Sequence, residues 1–285
     1  MSGTIGNPLS WSAERLFGAG AHLAQATEIL GGDRDEARPR VRRIGSADVF
    51  GALRQGLADF AALRTDVVFL CLVYPVIGAA LVWLALNRDL LPLVFPLMSG
   101  FALIGPVAAV GLYEMSRKRE ETGQAVWADA FGVLASPRFG AIFILGLALF
   151  GLFLVWMVVA GGLYAATLGP EPPVSAAAFL RDVTTTDPGQ TMVFVGVLVG
   201  LGFAALVLMV SLVSFPLLLD RDVGLPVAVV TSIRVARKNP GPVALWGLIV
   251  VAGLAVGVVT ALLGLAIVLP VLGHATWHFY RRAVG

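Results

Sequence analysis

The sequence predicts an all-α protein, a polytopic transmembrane bundle of six spans with three interfacial amphipathic helices in a pseudo-threefold repeat. Three observations predict it. Six apolar stretches, each long enough to cross a bilayer, fill most of the chain after residue 65. Charged residues are only 13% of the composition and gather between those stretches, where a soluble domain carries roughly 25%. A short amphipathic segment stands ahead of the first, third and fifth stretches, and two of these segments match in sequence.

Residues 1–43 read as a cytoplasmic tail and linker, partly disordered, and residues 44–285 as a six-helix membrane domain. No uninterrupted apolar region follows a basic start, so a cleaved secretory signal is not expected. Trp11, Leu16, Phe17, Leu23 and Leu30 recur at roughly helical spacing until Gly31 and Gly32, which predicts a peripheral helix. The charged run that follows, with Pro39, reads as a solvated linker.

The spans are placed at 67–86, 90–113, 139–168, 192–219, 243–262 and 263–279. Helix is the conformation that lipid permits here, because backbone groups cannot bond to water there and a helix satisfies its own. Of the 20 Lys and Arg residues, all but Arg88 and Arg181 fall in the amino-terminal region, the second-to-third and fourth-to-fifth connections, and the tail. Positive residues stay on the cytoplasmic side during insertion, so both termini are expected there, in a bacterial inner membrane. The opposite side then holds a turn at 87–89, a Pro-rich connection at 169–190 and a tight turn near Gly264.

The repeat units run over about 46–115, 123–220 and 224–282. Ala47, Asp48, Val49, Phe50, Gly51, Ala52 and Leu53 parallel Ala128, Asp129, Ala130, Phe131, Gly132, Val133 and Leu134. In the first copy Val49, Phe50, Leu53, Leu57 and Phe60 are read as the apolar stripe, with Asp48, Arg54, Gln55 and Asp59 facing away. A divergent third copy runs through Val227, Val230 and Ile233, with Thr231, Arg234 and Arg237 polar. Pro137 and the cluster at Asn239 and Pro240 break the second and third copies before the next span. Pro106 precedes Arg117, and Pro270 precedes Arg281, by the same distance, a register that superposes Glu114 on His278.

Leu269 to Arg282, Ser214 to Asp222 and Gly100 to Arg119, with Gly111-Leu112-Tyr113-Glu114, resemble a bacterial family of predicted integral membrane proteins classed as a domain of unknown function, family 2189. The resemblance covers about residues 40–282. Some members carry a label likening them to subunit I of cytochrome c oxidase, which implies haem and copper; the residues here do not supply that ligand set, and the resemblance carries no catalytic residue.

His274 and His278, four apart on one helix, are the candidate metal or haem ligands. The other histidine, His22, lies in the tail. Capping of the last span beside Trp277 and Tyr280 is the simpler account of the pair. Glu114, Asp220 and His278, near Arg117, Arg221 and Arg281, form a candidate polar cluster at the cytoplasmic ends of spans two, four and six. They could ring a cavity, or pair locally with the arginines. Gly196 and Gly200, and Gly253 and Gly257, read as packing seams, with homo-oligomerisation as the sharper option.

No phosphate-cradling loop, nucleophile elbow or metalloprotease motif occurs, and a single cysteine, Cys71, excludes an intramolecular disulfide and a cysteine metal cluster. The reading leans away from an enzyme. A structural or accessory membrane component leads, its partners the lipid bilayer and anionic headgroups on the cytoplasmic face, with no nucleic acid. An ion or small-molecule transporter with a cavity between repeats, and a haem- or metal-binding respiratory protein, stand as alternatives.

Overall fold

The computed structural model describes residues 39–71, 73–87 and 90–285. Among them the fold is all-α, with one isolated antiparallel bridge between Val41 and Val284 and no strand. The helices are α1 (Ser46–Cys71), α2 (Val73–Asn87), α3 (Val94–Leu103), α4 (Gly105–Ala108), α5 (Val110–Thr122), α6 (Phe139–Thr167), α7 (Ala176–Thr185), α8 (Asp187–Ser211), α9 (Ser214–Asp220), α10 (Leu225–Lys238), α11 (Pro240–Val259) and α12 (Leu265–Ala283). Two 3₁₀ segments cover Leu91–Leu93 and Trp127–Ala135. The tail helix and His22, and most of the turn expected at 87–89, lie outside the described residues.

Three segments are long and apolar enough to cross a bilayer: Phe139–Thr167, Asp187–Asp220 and Pro240–Val259. Val76–Leu86 and Leu91–Gly100 are shorter apolar helices. Both faces of α6 are apolar. Ile142, Leu145, Leu149 and Trp156 are buried, while Phe143, Leu147, Phe150, Leu154 and Val158 are exposed at the same helical spacing. A helix greasy all round is one whose outer face meets lipid.

Proline position decides where these stretches bend. The region expected as one span at 90–113 is divided among α3, α4 and α5, with Pro106 in the four-residue middle piece. Likewise 192–219 is divided between α8 and α9, two residues ahead of Pro216. At that second break the Val213 N–H donates to Ser232 Oγ (3.3 Å) and the Ser214 hydroxyl donates to the Ala228 carbonyl (3.2 Å), so α10 supplies partners that the interrupted helix lacks. In contrast α1 contains no proline, and it continues past the first interfacial segment to Cys71 without a bend of the kind Pro137 and Pro240 introduce later. The connection at 169–190 contains a helix, α7, that its proline content hides; Ser175 caps it, accepting from the Ala178 N–H at 3.1 Å.

The turn from α11 to α12 puts Ala261 and Leu262 at φ of 51° and 69°. Two bonds hold this left-handed pair, Leu262 N–H to the Gly257 carbonyl (2.8 Å) and Gly264 N–H to Thr260 Oγ1 (2.8 Å).

The apolar stripe of α1 differs from the one expected. Its buried face is Val49, Ala52, Gly56, Asp59 and Leu63, while Phe50 and Leu57 are exposed. In α10 Thr231, expected on the polar side, is buried and Val230, expected on the apolar side, is exposed, while Arg234 and Arg237 are exposed as expected. The reason is common to both: these helices pack small residues against the bundle and turn their large apolar ones outward, which amphipathic patterning in water would not favour but a lipid boundary does. The most extensive contact between two helices is that of α1 with α12, which run antiparallel. Gly56 permits it, because a Cβ built there would lie 2.6 Å from Ala275 Cα.

Candidate functional site

The stripe on α1 brings one carboxylate into the packed interior. Asp59 is 5% exposed, and a buried carboxylate must find donors or lose its charge. It finds three. His278 Nε2 lies 2.8 Å from Oδ2, the Ser116 hydroxyl donates to Oδ2 at 2.7 Å, and the Arg119 guanidinium donates to Oδ1. α1, α5 and α12 each contribute, so the carboxylate ties three helices at one point.

A second imidazole extends the chain inward. His274 Nδ1 is 2.8 Å from Ser116 Oγ. The single hydroxyl proton of Ser116 goes to Asp59, so His274 is the donor in its contact and carries its proton on Nδ1. Its Nε2 is buried and without a hydrogen-bond partner. As the unprotonated nitrogen of a neutral ring, Nε2 is a far cheaper orphan than a buried N–H. Burial pushes the Asp59 carboxyl pKa upward, but the hydrogen bonds from His278 and Ser116 oppose burial and the net shift is downward, below 3.8.

The polar cluster expected from the sequence divides into separate groups. His278 belongs to the Asp59 network. Asp220 accepts from the Tyr280 hydroxyl (2.5 Å) and from Arg281 (3.3 Å), with Arg221 at 3.8 Å. Glu114 is held on both oxygens by Arg117, at 2.7 and 2.6 Å, and Arg117 also reaches Glu121. Glu120, unremarked in the sequence, extends the Asp220 group: it accepts from Arg281 at 3.1 Å and from the Trp277 indole at 2.8 Å. The two histidines reach different partners, Ser116 and Asp59. Among the described residues no three His, Cys, Asp or Glu side chains converge as a metal-ligand set.

Asp59, Ser116 and Arg119 were not singled out as site residues. A signal for Asp59 existed: positions 49, 52, 56, 59 and 63 form a three-four-three-four stripe of small and apolar residues, and an aspartate on it is an exception that needs partners.

Two grooves are lined by basic residues, the smaller of them beside the Glu114 group. One, about 340 Å³, is lined by Glu114, Arg117, Lys118, Ser136 and Arg138 among others. The other, about 510 Å³, is lined by Pro39, Val41, Arg234, Arg237 and Lys238.

The long apolar helices and their charged ends agree with what the chain is similar to. Residues 94–220 match the family described as predicted integral membrane protein (DUF2189). The match runs from α3 through α9, the middle of the wider stretch over which the sequence resembles that family. No curated protein and no solved structure matches the chain. The protein is an integral membrane protein with several apolar helices.

Proposed function

We propose that this chain is a multi-pass protein of a bacterial inner membrane, with six spans in three related units and both ends cytoplasmic. It acts without chemistry of its own, as a structural or accessory component whose basic face rests on anionic lipid headgroups.

The observation that carries this reading is that its basic segments touch one another. Arg138 donates to the Leu219 carbonyl (3.0 Å), Arg221 to the Gly285 carbonyl (3.3 Å), Lys238 to the Val41 carbonyl (2.7 Å) and Arg282 to Gln55 (2.6 Å). Residues 40–42 pair with 283–285 through three backbone bonds. The charged ends of the units thus make one side of the molecule, as insertion with positive residues inside would leave them.

Two further features support the threefold arrangement. The Gly45 N–H donates to Asp48 Oδ2 and the Val126 N–H donates to Asp129 Oδ2, both at 2.8 Å, so matched aspartates make matched caps. Each interfacial segment also packs on the end of a returning helix: Trp127–Ala135 on α5, α10 on α9, and α1 on α12, the last contact closing the ring.

Single cysteines test the orientation in a Cys71→Ala background. Ala47→Cys is expected to resist a membrane-impermeant maleimide added outside spheroplasts, and Val174→Cys, 98% exposed in the opposite connection, to react. Reaction of Ala47→Cys from outside would overturn the reading.

A further inference from the structure

We infer that the groove between α10 and residues 39–41 is a binding site for the phosphate of an anionic phospholipid headgroup, an inference that rests on the basic-face reading above.

Charge distinguishes this groove from the smaller one. Its lining carries Arg234, Arg237 and Lys238 and no acidic residue. Among the described residues Arg234 and Arg237 make no ion pair. The smaller groove contains Glu114, which already holds Arg117 on both oxygens, so part of its charge is neutralised within the protein. Arg237 and Lys238 also complement the carboxyl-terminal dipole of α10. Arg234 stands a turn earlier, where that effect has faded.

The walls are set before any ligand arrives. Asn239, 3% exposed, accepts from the Ile44 N–H at 3.0 Å and donates to the Arg42 carbonyl at 3.1 Å, while Lys238 donates to the Val41 carbonyl. The pairing of Val41 with Val284 fixes the same segment from its other edge. Binding therefore needs only the two arginine side chains to order, which keeps its entropic cost low.

Position selects a lipid. Lys238 is two residues before Pro240–Val259, a helix apolar enough to span, so the three cations sit where a span meets the headgroup layer. Val230, one turn before Arg234 on the same helix face, is 43% exposed and offers an apolar surface beside the charge. Guanidinium groups bind phosphate oxygens in pairs, and the ammonium of a zwitterionic headgroup would be repelled by the same three cations.

The test uses the full chain, delipidated in detergent and titrated by calorimetry with dioctanoyl phosphatidylglycerol, dioctanoyl phosphatidylcholine and inorganic phosphate. Phosphatidylglycerol is expected to bind saturably. An Arg234→Gln, Arg237→Gln variant, altered at exposed positions and melting like the native chain without lipid, should bind it about thirty-fold more weakly. Unchanged affinity in that variant overturns the groove. If the loss appears instead in Arg42→Gln, Arg43→Gln, the basic-face reading survives and the groove does not. Phosphatidylcholine binding as tightly as phosphatidylglycerol would sink both, and inorganic phosphate matching the lipid would make this a free-anion site.

Discussion

Asp59 fastens three helices to one another, because its carboxylate is the acceptor on which Ser116, Arg119 and His278 all converge. Replacing it by asparagine removes the charge, sets an amide N–H against one of three donors and leaves Arg119 unpaired. Asp59→Asn is expected to cost about 3 kcal/mol in chemical denaturation of the detergent-solubilised protein, the scale of a broken buried pair. Glu121→Gln, where among the described residues the carboxylate pairs with Arg117 alone at an exposed site, should cost less than about 1 kcal/mol. The sign with pH follows from the depressed carboxyl. Its contribution is complete above 3.8 and is lost as the pH falls through the lower folded value, so the gap between native and Asp59→Asn stability should narrow below pH 3.8. A gap that widens there would show that the carboxylate is not held by its donors. Sequence reading put Asp59 outward because helical patterning sorts residues by polarity alone, and three donors from distant helices are invisible to it.

At the scale of the element, close approach decides more than periodicity does. α1 lies on α12 at Gly56, where any side chain would collide with Ala275, and a Cβ built at Gly273 of α12 would lie 2.5 Å from Leu112 Cδ1 of α5. Gly56→Val should therefore separate α1 from α12 and destabilise the protein by about 2–3 kcal/mol, an overpacking cost. The same substitution at Gly151, which has open space around its Cβ position, should be almost neutral in the same melting measurement. The seams read from sequence have their neighbours inside the bundle: Gly196 and Gly200 face Leu163 and Trp156, and Gly253 and Gly257 face Val268 and Leu265. Helix existence was legible from hydropathy, as was the breaking role of Pro137 and Pro240. The side of α1 and α10 that turns inward was not, since lipid on one flank and protein on the other both accept apolar atoms and only size separates them.

Over the whole molecule, the contact between the two ends of the described chain is the feature that closes the bundle. Residues 41 and 284 face each other across an antiparallel bridge whose flanking backbone bonds are 2.8–3.1 Å. Their spacing suits a disulfide. Val41→Cys with Val284→Cys, in a Cys71→Ala background, is expected to cross-link quantitatively on mild oxidation and to raise the melting temperature of the detergent-solubilised protein; failure to cross-link would mean that the ends do not meet. What the sequence determined alone was the helical class, the membrane setting and the clustering of positive charge, because these depend on composition and on distances along the chain. Only the tertiary structure decided that Asp59, Ser116, His274 and His278 meet, that Glu120 takes up Arg281 and the Trp277 indole, and that Arg234 and Arg237 share a groove with residues 39–41. Each of those depends on which faces of three or more helices come within hydrogen-bonding reach, and that is fixed by packing at a few small residues rather than by any local pattern.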